Sequence, residues 1–171
     1  MFKILSILFN LKKGYFESKM NKYIIDGNNL IGKINSLQFP QLKKNDAGRS
    51  GLVVILNGFF AKKKVRISLH FDGFPNLPIL FTKGKIIYSE KRSSDDLIRE
   101  EIDQSKNPRL ITLISSDHSL IDYARVNSCS FIRSEDFARE IKRIQFIDEE
   151  SIKVQQLERD KDTFMKLFNR K

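Results

Sequence analysis

The sequence predicts an α/β fold in which a central, mainly parallel sheet is covered by helices on both faces. Strand-like and helix-like segments alternate along the chain, the pattern that joins parallel strands through helical crossovers. The strand-like segments are near-continuous apolar runs, as strands buried on both faces must be. Three of those strands also lead into an aspartate.

The first strand runs through Tyr23, Ile24 and Ile25 and stops on Asp26, with Gly27, Asn28 and Asn29 behind it. Asp-Gly and Asn-Asn suit a turn, because they tolerate positive φ and cap backbone groups with short side chains. A loop containing Pro40 follows. In "NDAGRSGLVVILNGFFAKKK" the residues Leu52, Ile55, Leu56, Phe59 and Phe60 recur at helical spacing, with Asp46 as a cap. "VRISLHFDG" is a second strand ending on Asp72; Pro75 and Pro78 then force a loop, and "KIIYS" is a short third strand. "SSDDLIREEIDQSKN" is a helix that starts at Ser93 or Ser94 and is ended by Pro108. "RLITLI" is a buried strand through Ile114, followed by the turn Ser115-Ser116-Asp117 and a helix. "CSFIRSEDFAREI" gives a short strand and another capped helix, and residues 147–171 read as a charged C-terminal helix or tail.

The 31 Lys and Arg against 21 Asp and Glu leave a net charge of +10. Such a charge favours a polyanionic partner, nucleic acid or an anionic membrane surface. The single cysteine, Cys129, excludes an internal disulfide framework and suits a reducing, cytoplasmic compartment; its expected place is core packing. With His70 and His118 the only histidines, a Cys/His zinc site is not expected. The N-terminal apolar run is far shorter than the roughly 20 residues a membrane span requires. It resembles a signal core but lacks a small-residue cleavage site. Because Met20 directly precedes the first strand, residues 1–19 are expected to be an extension or a misassigned start. The domain itself is expected over residues 20–146.

Right-handed crossovers put the C-terminal ends of parallel strands along one edge. Asp26, Asp72 and Asp117 should therefore share that edge, with Asp95 and Asp96 reaching it from a helix start. Singly, each has an ordinary use as a turn residue, a cap or a first-turn charge. Together, repelling carboxylates on a basic protein call for a cation. Oxygen ligands without His or Cys suit Mg²⁺ or Mn²⁺, which can activate water and neutralise a phosphodiester. Along its helix Asp95 shares a face with Ile98 and Ile102, whereas Asp96 aligns with the polar Arg99, Glu100 and Asp103. Asp95 is thus the better placed of the two.

"YIIDGNNLIG", "HFDG", "SSDDLIREEI", "LISSDHSL" and "SFIRSEDFAREI" occur in the order seen in YacP-like NYN domains, and residues 22–142 resemble that family of PIN-like ribonucleases. The resemblance implies a PIN-like three-layer α/β/α sandwich and Mg²⁺-assisted cleavage of single-stranded RNA. The group includes bacterial ribosome-associated endoribonucleases, so the ribosome is an implied partner. By motif, Asp26 would be the central metal ligand, Asn29 the asparagine that orients ligands or phosphate, and Asp95 and Asp117 further ligands. Asp96 would be a second-rank ligand, and Asp72 has a less defined place. The chain departs from the family at Asn28, where tyrosine is common, at Ser115 for threonine, and at Gly73, where alanine is usual. Those departures bear on substrate preference, since no carboxylate is lost. Lys62, Lys63, Lys64, Lys91 and Arg92, with Lys43, Lys44, Arg49, Lys83 and Lys85, are candidates for an RNA path or a solvated face. His118 is expected to be an exposed first-turn residue. Two rivals stand beside the nuclease: a non-cleaving RNA- or ribosome-binding module, and a phosphohydrolase with an aspartyl nucleophile. The latter usually has a second aspartate two residues on, where this chain has Asn28.

Overall fold

The run of apolar residues before Asp26 lies in a strand, Lys22–Asp26 (β1), at the centre of a five-stranded, all-parallel sheet. The computed structural model describes residues 20–34 and 46–168. The N-terminal segment 1–19, the loop around Pro40, and Lys43 and Lys44 lie outside them. After β1 come the helices Gly27–Ile31 (α1) and Asp46–Phe59 (α2), then strands Arg66–Phe71 (β2) and Gly84–Tyr88 (β3). Helix Ser94–Asp103 (α3), a 3-10 turn Pro108–Leu110 and strand Ile111–Ile114 (β4) follow. The chain continues through His118–Val126 (α4), Ser130–Ile132 (β5) and Ser134–Phe168 (α5).

The strand order is β3-β2-β1-β4-β5. Connections therefore step outward from β1 in both directions, which leaves a topological switch point between β1 and β4. In open parallel sheets the crevice beyond the C-terminal ends at such a point is where ligands bind. The carboxylate of Asp26 sits at the end of β1, and the Ser115–Asp117 turn follows β4 beside it.

Alternation along β1 assigns the two faces. The Tyr23 ring is 5.1 Å from that of Phe60, just beyond α2; Phe59 meets Phe137, at the start of α5, edge to face, and Phe60 stacks on it. Ile24 points the other way, into a cluster with Ile98 and Ile102 of α3, Leu113 of β4, and Leu120 and Ala124 of α4. Cys129 joins that cluster as a packed, buried thiol. Each fully buried aliphatic side chain contributes about 1.5–3 kcal/mol through the water it no longer orders. Helices on both faces make the predicted three-layer α/β/α sandwich.

The turn chemistry after β1 does more than reverse the chain. Asp26 caps a short helix by accepting from the Asn29 N–H, and α1 runs directly from it. α3 starts from Ser93, whose hydroxyl accepts from the Asp96 N–H. Contacts divide the chain into two compact units, Met1–Ala138 and Arg139–Lys171. The second is helical, with Arg143 paired to Glu140 one turn away. Among the described residues no helix is long and apolar enough to cross a membrane.

Candidate active site

The site is built around Asp26, which is 6% exposed. One carboxylate oxygen accepts from the Asn29 N–H at 3.0 Å and the other from the Ser115 hydroxyl at 2.9 Å. Both partners are neutral, so they orient the carboxylate without cancelling its charge. Burial raises its pKa first; the two hydrogen bonds oppose this, and the charges of Asp95 and Asp72 add to the rise. Gly27 behind it has no room for a side chain. A Cβ there would meet the Phe71 ring at 2.3 Å and the His70 carbonyl at 2.7 Å.

The Ser115 hydroxyl also accepts from the Asp117 N–H at 3.1 Å, and Asp117 caps α4 by accepting from Leu120. The side-chain oxygen of Asn29 accepts from the Ser116 N–H at 3.3 Å. Asn29 thus ties the end of β1 to the turn after β4 across the switch point. Serine in place of threonine at position 115 keeps the hydroxyl that both bonds need.

Asp95 is half-buried at the start of α3, on the same side as the buried Ile98 and Ile102; Asp96 is exposed. Burial raises the Asp95 pKa, then the charges of Asp117 and Asp72, against a lowering by Arg99. Asp95 therefore lies within electrostatic reach of all three strand-end aspartates. Asp72 is different. Burial would raise its pKa, but bonds from Ser94 and from the Asn28 amide, with the charge of Arg49, bring it down. Its carboxylate takes the Ser94 N–H at 3.0 Å and so seats α3. Asn28, where the family often carries tyrosine, thus binds Asp72 with its side chain.

The basic candidates divide by edge. Lys62, Lys63 and Lys64 are exposed in the segment entering β2, and Lys83 and Lys85 lie at the entry to β3, both at the sheet edge opposite the carboxylates. Lys63 lies over the Phe59 ring at 3.8 Å. Lys91 and Arg92 follow β3 on the carboxylate edge, where Arg92 makes two bonds to Glu100. Arg49 holds backbone carbonyls of residues 72 and 74. His118 is exposed in the first turn of α4.

Two acidic groups were not expected. Glu135 pairs with Lys33 and the Ser116 hydroxyl, which hold its pKa down to about 2. Glu101 of α3 receives Lys22 and Lys85 at 3.0 Å each, the Ser68 hydroxyl at 2.7 Å and His70 Nε2 at 2.7 Å. The signal for it was present in β2. Ser68 and His70 put polar groups at period two on one face of a buried strand, and such groups require partners.

Among the described residues no three His, Cys, Asp or Glu side chains converge into a complete metal-ligand set. A buried carboxylate with neutral partners and like-charged neighbours is nevertheless suited to a hard divalent cation. Mg²⁺ usually binds one or two carboxylates and keeps several waters, so the donor set fits it.

Fold and site together define an α/β domain with its acidic residues along the C-terminal edge of a parallel sheet, at its switch point. The sequence model of the YacP-like NYN domain matches residues 23–170. The chain belongs to that family. A crystal structure of Rae1 (YacP) from Bacillus subtilis superposes with a TM-score of 0.63 at 18% identity, covering 87% of this chain and 92% of that one. A mutant of the same Bacillus subtilis protein gives 0.62 at 19%, covering 81% and 86%. At these identities the likeness is one of fold. A search of curated proteins found no match.

Proposed function

We propose that this chain is a metal-dependent endoribonuclease that hydrolyses phosphodiester bonds in single-stranded RNA in the cytoplasm, with RNA on the ribosome as one substrate. The observation that carries the reading is the buried Asp26, held by neutral partners and raised in pKa by burial and the charges of Asp95 and Asp72. Asp26, Asp95 and Asp117 would hold Mg²⁺ or Mn²⁺, with Asp96 reaching it through water. The ion would supply an activated water and neutralise charge on the phosphate. Asp26 is fixed in orientation by Asn29 and Ser115, so its position does not depend on substrate. Asn29 keeps the Ser116 backbone, and with it Asp117, in register with β1. Asp72 supports from behind by seating the first turn of α3, which carries Asp95.

The lack of a converged ligand set among the described residues favours a second reading, a non-cleaving RNA- or ribosome-binding module on the same fold. Incubation of the protein with a labelled single-stranded RNA, with and without EDTA, separates the two. Internal cleavage that EDTA stops supports the nuclease; binding without cleavage in Mg²⁺ or Mn²⁺ supports the module; cleavage undiminished by EDTA rules out the metal mechanism.

A further inference from the structure

We propose that Phe74 is a stacking platform for one base of the RNA strand, a substrate-positioning residue beside the carboxylates. The proposal rests on the ribonuclease reading and adds where a base next to the cleaved bond goes.

The segment leaving β2 is fixed by its backbone. Arg49 of α2 donates to the carbonyls of Asp72 at 2.6 Å and of Phe74 at 3.0 Å. Gly73 takes a left-handed φ of 77°, donates to the Ser89 hydroxyl at 3.1 Å and accepts from the Glu90 N–H at 2.9 Å. Pro75 restricts Phe74 to extended backbone. Further along, Asn76 donates to Asp46, and the Asn57 side chain bonds the Leu80 carbonyl and Thr82. The segment is therefore tied to α2 along its length.

On this fixed backbone the Phe74 side chain is 52% exposed, while Phe81 of the same segment turns inward and is 9% exposed. Packing is supplied by Phe81, and half of the Phe74 surface is left open. Phe74 lies two residues beyond Asp72, a span of at most about 7 Å, and Asp72 feels Asp26 and Asp95. A single strand whose phosphate sits at those carboxylates must turn its bases onto some surface. An aromatic face accepts any base, so its stacking is sequence-tolerant. A rigid backbone lowers the ordering cost of binding.

Leu77 and Leu80 continue the segment with 64% and 81% exposure, and they distinguish a base platform from a protein-binding ridge. A protein partner would use all three side chains; a base needs the ring alone.

The test measures kcat/KM on single-stranded RNAs carrying one abasic site moved stepwise along the strand. The proteins compared are the full chain, Phe74→Ala, Phe74→Tyr, and Leu77→Ala with Leu80→Ala. On intact RNA, Phe74→Ala should lose about tenfold, chiefly through KM, while Phe74→Tyr and the leucine variants stay within about twofold of the parent. At one abasic position the parent should lose as much, and Phe74→Ala should lose nothing more. Equal activity of Phe74→Ala and the parent on intact RNA overturns the proposal, as do multiplying losses at every position. A comparable loss in the leucine variants overturns it in favour of a broader apolar contact. If the parent cuts no RNA, the ribonuclease reading fails on its own. Anisotropy with the same RNAs then decides on Phe74: unchanged affinity in Phe74→Ala overturns the platform, and a tenfold loss that the abasic site cancels supports it.

Discussion

The carboxylate of Asp26 accepts from Asn29 and Ser115 while burial and two neighbouring carboxylates work against its ionisation. Its folded pKa lies above the ordinary 3.8, so the folded state binds its proton more readily than the unfolded one. The sign follows from linkage: the contribution to stability is full below pH 3.8 and is lost as pH rises through the folded value. At neutral pH without metal the charge is destabilising. Asp26→Asn, which keeps the shape, should therefore melt higher than the parent in EDTA at pH 7, with the gap closing toward pH 3.5 (thermal melts at both pH values). A lower melting temperature at pH 7 would count against the burial of an ionised group. That Asp26 ends a buried strand at the sheet edge was legible in the sequence, because the apolar run before it stops on the carboxylate. The helix behind it was not, since Gly27, Asn28 and Asn29 are poor helix formers; one side-chain cap starts it. Asn28 also resisted reading, because its partner Asp72 is 44 residues away.

Helix α3 carries the site on one flank and a structural anchor on another. Asp95 lies toward the carboxylates, while Asp96 is exposed and contributes its backbone N–H to the Ser93 cap. Asp95→Asn is expected to lower the single-turnover cleavage rate by about 100-fold or more, and Asp96→Asn by about tenfold or less, in line with the weight of direct against indirect charge stabilisation. Rates in the reverse order would reassign the ligands. The difference in burial between the two residues was legible from helical periodicity. Glu101, three residues beyond Ile98, does not stand out in the sequence of its helix, although Ser68, His70, Lys22 and Lys85 converge on it. Burial raises its pKa, but the hydrogen bonds from His70 and Ser68 and the charge of Lys22 override that and hold it well below the usual carboxylate range. A depressed folded pKa gives stability that is present above the unfolded value of 4.5 and is lost as pH falls below it. Glu101→Gln should flatten the acid limb of the stability curve below pH 4.5, and Glu101→Ala should cost about 3 kcal/mol at pH 7 by leaving partners unpaired. Urea unfolding across pH measures both; an unchanged acid limb in Glu101→Gln would remove Glu101 as its cause.

Across the whole molecule, a parallel sheet with order β3-β2-β1-β4-β5 gathers residues 26, 72, 95 and 117 from four separate stretches of chain. Strand–helix alternation made that gathering predictable, since every strand's C-terminal end had to share an edge. The same rule also sorts the basic residues, a step the charge runs alone concealed. Lys62 to Lys64 enter β2 at the far edge, whereas Lys91 and Arg92 leave β3 at the near one. If the net charge of +10 serves RNA, binding to a single strand should weaken with salt by roughly 0.7 per phosphate contact in log–log slope. Lys91→Ala should reduce that slope by about one contact's share, and Lys64→Ala should leave it unchanged if the path follows the carboxylate edge. A flat salt response in anisotropy titrations would favour a small-molecule substrate instead. The most direct measurement is the single-turnover cleavage of one labelled single-stranded RNA by the parent and Asp26→Asn proteins in saturating Mg²⁺ or Mn²⁺. Loss of cleavage by about 100-fold or more, in a variant that melts at or above the parent in EDTA, is the predicted result. An Asp26→Asn protein that cleaves within about twofold of the parent would contradict a metal-dependent reaction centred on Asp26.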